Sequence, residues 1–190
     1  MQMLQQPDRI TILYPYDHEV RHVRMNEPHS AQLSPSWYGE SVGHYEGDTL
    51  VVDTVGIKVE RPFAMVDMYG TPYTEALHVV ERYRLLDYEA AKEGLERDAK
   101  ENFDLQRGPP GVTSVMLYVD PNYRGKHLQV QSTVEDQGVL TMPWSATITY
   151  RPGVNALGVI EWPEIVCAEN IHEYYARRDS AVPRANKSDF

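Results

Sequence analysis

A single cysteine, Cys167, stands in 190 residues, which excludes an intramolecular disulfide and a zinc site built on thiolates. Positive charge is also scarce. Eighteen Lys and Arg against 28 Asp and Glu leave a formal charge of −10 and a pI near 5.1. Neutralising phosphates needs a clustered cationic surface, so nucleic acid is not an expected partner. No run approaches the roughly 18–20 uninterrupted apolar residues of a membrane-spanning helix, and mean hydropathy is −0.51, so no membrane partner is expected either. The familiar catalytic signatures are missing: no Gly-x-Ser-x-Gly, no phosphate loop, no Rossmann glycine pattern, no His-Glu-x-x-His. Nothing in the spacing demands a metal or a cofactor, and none is expected. The N-terminus lacks a basic start, an apolar middle and a cleavage site, so the expected location is cytoplasmic. Met1 to Leu4 leads almost at once into strand-like sequence; if a leader has been trimmed there, the protein is exported.

What the chain does have is alternation. Ile10, Ile12, Tyr14 and Tyr16 alternate with Thr11, Leu13 and Pro15, and a second run carries Val20 and Val23 to Met25. Period 2 marks half-buried strands. Asn26 to Gly39 is a loop by its Pro and Ser content. Ser41 to Glu46 and Thr49 to Ile57 flank Gly47-Asp48, a two-residue combination favoured in tight hairpins. Glu75 to Leu85 alternates again, after an apolar loop around Phe63 to Tyr69. One helix is expected over about 88–103, where Ala91, Leu95, Ala99 and Phe103 recur every four residues. Gly108-Pro109-Pro110-Gly111 ends it. Further strands are expected over 113–119, 127–135, 139–151 and 158–168.

Eight or nine short antiparallel strands predict a mainly β fold, a meander closing into a calycin/lipocalin-like barrel with one inserted helix. A cone-shaped α+β sheet is the alternative. The expected organisation is one barrel domain over 1–173, with a helical insertion at about 88–126, and a polar tail or arm onto a second copy over 174–190. A barrel of this strand number can enclose one ligand-sized cavity.

The segment Gly43-His44-Tyr45-Glu46-Gly47-Asp48-Thr49-Leu50-Val51-Val52-Asp53-Thr54-Val55-Gly56 resembles a family of bacterial proteins that are often exported and have no established activity. Glu75-Ala76-Leu77-His78-Val79-Val80-Glu81-Arg82-Tyr83-Arg84 resembles it too, with weaker likeness at 1–23, Pro143-Trp144 and 164–170. The resemblance covers most of the chain except roughly 88–126, and implies fold boundaries rather than a function. The insertion and the missing leader depart from the family and imply a specialised intracellular member.

Candidate chemistry follows from strand parity. With Gly47-Asp48 as the turn, Val42, His44, Glu46, Thr49, Val51 and Asp53 share a face. His44 and Asp53 are then diagonal neighbours about 7–8 Å apart, within side-chain reach. A carboxylate-oriented imidazole serves as an acid or base near neutral pH; the plain alternative is a rim pair that satisfies two polar groups. Gly43, Tyr45, Leu50 and Val52 form an equally good inward side. Glu81 lies in an apolar row with Leu77, Val79, Tyr83 and Leu85, where a carboxylate must pair or shift its pKa. Its plain role is a salt bridge to Arg82, Arg84 or Arg24. His78 has the opposite parity and joins His44 if that face is inward. A metal held by His44, His78 and a carboxylate is a lesser alternative.

Thirteen tyrosines and three tryptophans against three phenylalanines suit a cavity with apolar walls and polar tips. Tyr14, Tyr16, Tyr83, Trp144 and Tyr150 have the parity to line it, or to pack a core with hydroxyls at the rim. Cys167 is most simply a buried small apolar residue. The expected function is a cofactor-independent lyase, dehydratase or isomerase. It acts on an aromatic or hydrophobic small molecule, with His44, Asp53 and Glu81 catalytic and His78 and the aromatics binding substrate. The alternative is a non-catalytic calycin-like carrier of a hydrophobic ligand; a hydrolase comes third, for want of a nucleophile. The tail and the aromatic content favour a homodimer.

Overall fold

The computed structural model describes residues 1–14, 19–61, 64–67, 69–101, 118–119 and 122–154. The protein is mainly β: among the described residues, eight strands form one curled sheet, a half-barrel, accompanied by one helix. In chain order the elements are β1 (Gln2–Gln5), β2 (Arg9–Leu13), β3 (Val20–Met25), β4 (Glu40–Glu46), β5 (Thr49–Val55), β6 (His78–Leu86), α1 (Tyr88–Glu101), β7 (Tyr118–Val119), β8 (His127–Glu135), β9 (Trp144–Tyr150) and β10 (Gly153–Val154). The sheet runs β1-β2-β3-β4-β5-β6-β8-β9, and β7 pairs with β10 separately. No helix among the described residues is long and apolar enough to cross a membrane. The strand expected over 158–168 and the tail over 174–190 lie outside the described residues, as do residues 102–117 of the expected insertion.

One feature corrects the expected antiparallel meander, and a second bears on its closure, which the described residues do not show. First, β3 and β4 are parallel, with Val23 opposite Ser41 and Met25 opposite Gly43. The fourteen-position loop from Asn26 to Gly39 makes this feasible, because it carries the chain back to the starting end of the sheet rather than reversing it in a tight turn. Asn26, in the left-handed region at φ 58°, begins that loop and donates its N–H to the Gly43 carbonyl at 2.7 Å. Second, the β9 edge is met by α1, with no β1–β9 pairing among the described residues. The Thr149 N–H donates to Asp98 Oδ2 at 2.7 Å, so a helix carboxylate takes a ladder position that barrel closure would need.

Helix α1 buries Ala91 and Leu95 beside Leu86 and Tyr88, the stripe its four-residue spacing predicts. Gly94 lies in that contact. A Cβ there would stand 2.5 Å from Thr149 Oγ1, so the glycine that lowers helix propensity is what lets α1 approach β9.

The β4–β5 hairpin has the register its Gly47-Asp48 turn implies, with Glu46 opposite Thr49, His44 opposite Val51 and Val42 opposite Asp53. Of the two facings open in the sequence, Gly43, Leu50 and Val52 are the inner one. Leu50 and Val52 join Ile10, Ile12, Val23, Met25, Tyr83 and Val130 in the main core cluster. A Cβ on Gly43 would meet Val23 Cγ1 at 2.8 Å and the Val51 carbonyl at 3.2 Å, so the parallel β3–β4 junction has no room for a side chain. A second cluster of Ala64, Tyr73, Leu77 and Val134 closes one end. The base of the apolar loop is therefore part of the core, while its Tyr69 is 89% exposed.

Candidate functional site

The inner face carries a charged pair among mostly apolar side chains. Arg21 of β3 and Glu81 of β6 meet at 2.5 Å between Nη2 and Oε2, with side chains only 12% and 14% exposed. Parity puts them there: Arg21 shares a face with Val23 and Met25, and Glu81 with Val79 and Tyr83. The guanidinium also donates through Nε to Ser41 Oγ at 2.9 Å and through Nη2 to Thr54 Oγ1 at 2.6 Å. Ser41 and Thr54, both buried, hydrogen-bond each other at 2.9 Å. On the other side of the carboxylate, the Tyr83 hydroxyl donates to Glu81 Oε1 at 2.8 Å.

Oε2 is different. It is enclosed against Arg21 Nη2, with almost no surface of its own open to solvent.

Titration follows from this network. Burial alone lowers the Arg21 pKa, but the charge and hydrogen bond of Glu81 outweigh it and hold the guanidinium above its ordinary value. Burial, reinforced by the Glu81 charge, pushes the Tyr83 phenol well up. Burial also raises Tyr14 and Tyr150. All three phenols therefore stay protonated donors at neutral pH.

Two cavities flank the pair. One, of about 150 Å³, is walled by Tyr14, Glu81, Tyr83, Ser132, Ile148 and Tyr150 among others. The other, about 210 Å³ and more open, is bounded by Tyr14, Arg21, Trp37, Tyr38, Thr54 and Glu81 among others. Tyr14 and Glu81 line both, so the pair is the partition of one inner groove.

The other expected site residues lie apart from this groove. His44 is on the outer face, 53% exposed, with Nε2 3.3 Å from Glu46 Oε1. Glu46 in turn pairs with Arg82 at 2.6 Å. The i+2 neighbour on its own strand, rather than the diagonal Asp53, partners His44. Asp53, also outer, lies 3.0 Å from both His29 Nε2 and His78 Nε2. His29 Nδ1 faces Glu40 Oε1 at 3.1 Å, and His78 Nδ1 faces Glu135 Oε2 at 3.6 Å. The result is a string of alternating carboxylates and imidazoles that fastens the 26–39 loop to the sheet. Among the described residues, no group of three or more His, Cys, Asp or Glu side chains is placed to hold a metal ion. Trp144 is half exposed and borders a separate cavity of about 120 Å³ with Val66, Leu140 and Val134. Tyr16 and Cys167 lie outside the described residues.

Two residues escaped the sequence reading. Arg21 was findable by the signal that singled out Glu81, a charge in an apolar inner row; its partner was hidden by the unanticipated β3–β4 pairing. His29 sits in a loop, where no periodicity places a side chain.

The outer string carries a pH prediction. Burial pushes the Asp53 carboxyl up, but hydrogen bonds from His29 and His78 outweigh it and hold it below the usual carboxylate range. Hydrogen bonds from the Ser30 hydroxyl and N–H, and then from His29, with the charge of Arg24, bring Glu40 from 4.5 to about 2. A depressed pKa means the unfolded chain binds the proton first, so the contribution is complete above pH 4.5 and lost as pH falls towards 2. Glu40→Gln is expected to lower the urea midpoint at pH 7 and to flatten its decline between pH 4.5 and 2. Parallel pH curves for variant and wild type would contradict this.

Comparison with known proteins finds no matching family model, no matching curated protein and no matching solved structure.

Proposed function

We propose that the protein is a cofactor-independent small-molecule enzyme of the lyase or isomerase kind, working in the inner groove on an aromatic or hydrophobic substrate. The observation that carries this is the nearly buried Arg21–Glu81 pair between two cavities. A fold gains little from such a pair, since hydrophobic residues of similar volume are often as stabilising, so its retention beside open space points to use. Glu81, paired with Arg21 and lining both cavities, is the base. Tyr14, kept protonated by burial, is the complementary acid. Tyr83 and Tyr150 orient the substrate. His44, Asp53 and His78, expected to share this work, have no part in it on the outer face.

A second reading is a carrier that binds in the same groove and does no chemistry. It is favoured by the completeness with which Arg21 and Tyr83 hold Glu81, which restrains a carboxylate that must trade protons. Assembly of two copies is supported by the exposed Met142 and Trp144 at the start of β9.

Proton transfer separates the two readings. Small cyclic ketones and hydroxyaryl compounds incubated with the protein in D2O are expected to lose carbon-bound proton signals, and Glu81→Gln to slow this on the order of 10²-fold. Binding without exchange would make the protein a carrier.

A further inference from the structure

We propose that the 27–35 segment is a proton-dependent flap, clasped to the outer face of the sheet while His29 and His78 carry two ring protons each and loosened as they turn neutral. The clasp lies on the outer face, away from the groove, and does not rest on the proposed function.

His29 Nδ1 stands 3.1 Å from Glu40 Oε1 and its Nε2 stands 3.0 Å from Asp53 Oδ1, so both ring nitrogens face carboxylates. An ionised carboxylate only accepts, and a neutral imidazole has one N–H to give. Glu40, brought to about 2, and Asp53, held below the usual carboxylate range, stay ionised wherever imidazoles titrate, so neither carboxyl supplies the missing proton. Both contacts are therefore hydrogen bonds only with His29 as an imidazolium. His78 repeats the pattern, with Nε2 3.0 Å from the same Asp53 oxygen and Nδ1 3.6 Å from Glu135 Oε2. Arg24 of β3 adds a fixed charge, 3.1 Å from Glu40 and 3.6 Å from Glu27. With both rings protonated, Arg24, His29 and His78 meet Glu27, Glu40, Asp53 and Glu135; with both neutral, Arg24 alone meets the four carboxylates. Closing takes up protons, so it weakens as pH rises through the range of about 5–8 in which imidazoles lose their charge.

The ends of the flap carry no titrating group. The Asn26 N–H is held by the Gly43 carbonyl at 2.7 Å, and Ser36 donates its N–H to the Gly56 carbonyl at 3.1 Å and accepts the Lys58 N–H at 2.8 Å. Between them, Ser30 joins the clasp by donating its N–H to Glu40 Oε1 at 2.7 Å, and Arg24 Nη2 donates to the Pro28 carbonyl at 3.2 Å.

Amide hydrogen exchange of the full chain tests this, each rate being divided by the intrinsic rate at its pH. The Ser30 N–H reports the clasp, and the N–H groups of Ser36 and Lys58 are the internal reference. Between about pH 5.5 and about pH 8.5, protection at Ser30 is expected to fall about tenfold, the scale of one hydrogen bond to a charged group, while Ser36 and Lys58 hold theirs. His29→Gln is expected to abolish this response, and His44→Gln, at an outer-face imidazole beside Glu46, to keep it. Equal Ser30 protection at the two pH values overturns the proposal, as does a matching fall at Ser36 and Lys58, which would place the event elsewhere in the fold. A response that persists in the folded His29→Gln variant overturns the role of His29. Ring-nitrogen NMR of the wild type needs no variant to fold: both His29 nitrogens are expected to carry protons at about pH 5.5, and a singly protonated ring there contradicts the clasp.

Discussion

Arg21→Met or Glu81→Met alone is expected to cost about 3–5 kcal/mol of stability, and the two together far less than the sum. Each single change strands one charge where the side chains are only 12% and 14% exposed. Loss of Glu81 leaves a guanidinium with two hydroxyl acceptors and no counter-charge, and loss of Arg21 leaves a carboxylate with only the Tyr83 hydroxyl. The double variant removes both charges and adds two flexible apolar side chains to an apolar surface. Ser41 and Thr54 remain satisfied because they already bond each other. Urea unfolding of the four proteins measures the coupling directly. Single variants within about 1 kcal/mol of wild type would mean that the pair is solvated, which removes the reason for treating it as functional.

The second large effect is expected at Asp136, which is 2% exposed just after β8. Its carboxylate accepts the Thr74 N–H at 2.6 Å, the Thr74 hydroxyl at 2.8 Å and the Gly138 N–H at 2.9 Å. Burial pushes its pKa up, and these donors outweigh that and bring it down. Asp136→Ala is expected to cost roughly 3 kcal/mol, because it leaves two backbone donors without their charged acceptor. Asp136→Asn should cost less. Hydrogen exchange at Thr74 and Gly138 should speed up in the alanine variant, since the chain before β6 is joined here to the turn after β8. A loss below about 1 kcal/mol would mean that water replaces the carboxylate.

Legibility of the fold tracked how local the determining signal was. Gly47-Asp48 fixed its hairpin because a two-residue turn leaves one register, and Ala91 and Leu95 announced α1 because their spacing marks one helical face. The parallel β3–β4 pairing was not legible, since a loop as long as Asn26 to Gly39 permits either direction and the choice is made by tertiary packing at Gly43. The contact of α1 with the β9 edge was hidden for a similar reason: the Asp98 bond to Thr149 joins residues 51 apart in sequence.

At the site, a charge in an apolar row was informative, and it singled out Glu81 with its tyrosine neighbour. Parity alone was not enough for His44. It shares a face with both Glu46 and Asp53, and sequence does not rank two carboxylates within reach of one imidazole. His78, whose strand position was read correctly as opposite to Glu81, meets Asp53 instead.

A small molecule is expected to bind in the inner groove rather than at the outer histidine string. Amide chemical-shift mapping of the full chain titrated with phenol tests that most directly. The expected result is a set of shifts concentrated at Tyr14, Glu81, Tyr83, Ile148 and Tyr150, with His29, Asp53 and His78 unmoved. Shifts centred on His29, Asp53 and His78 with the groove silent would contradict it.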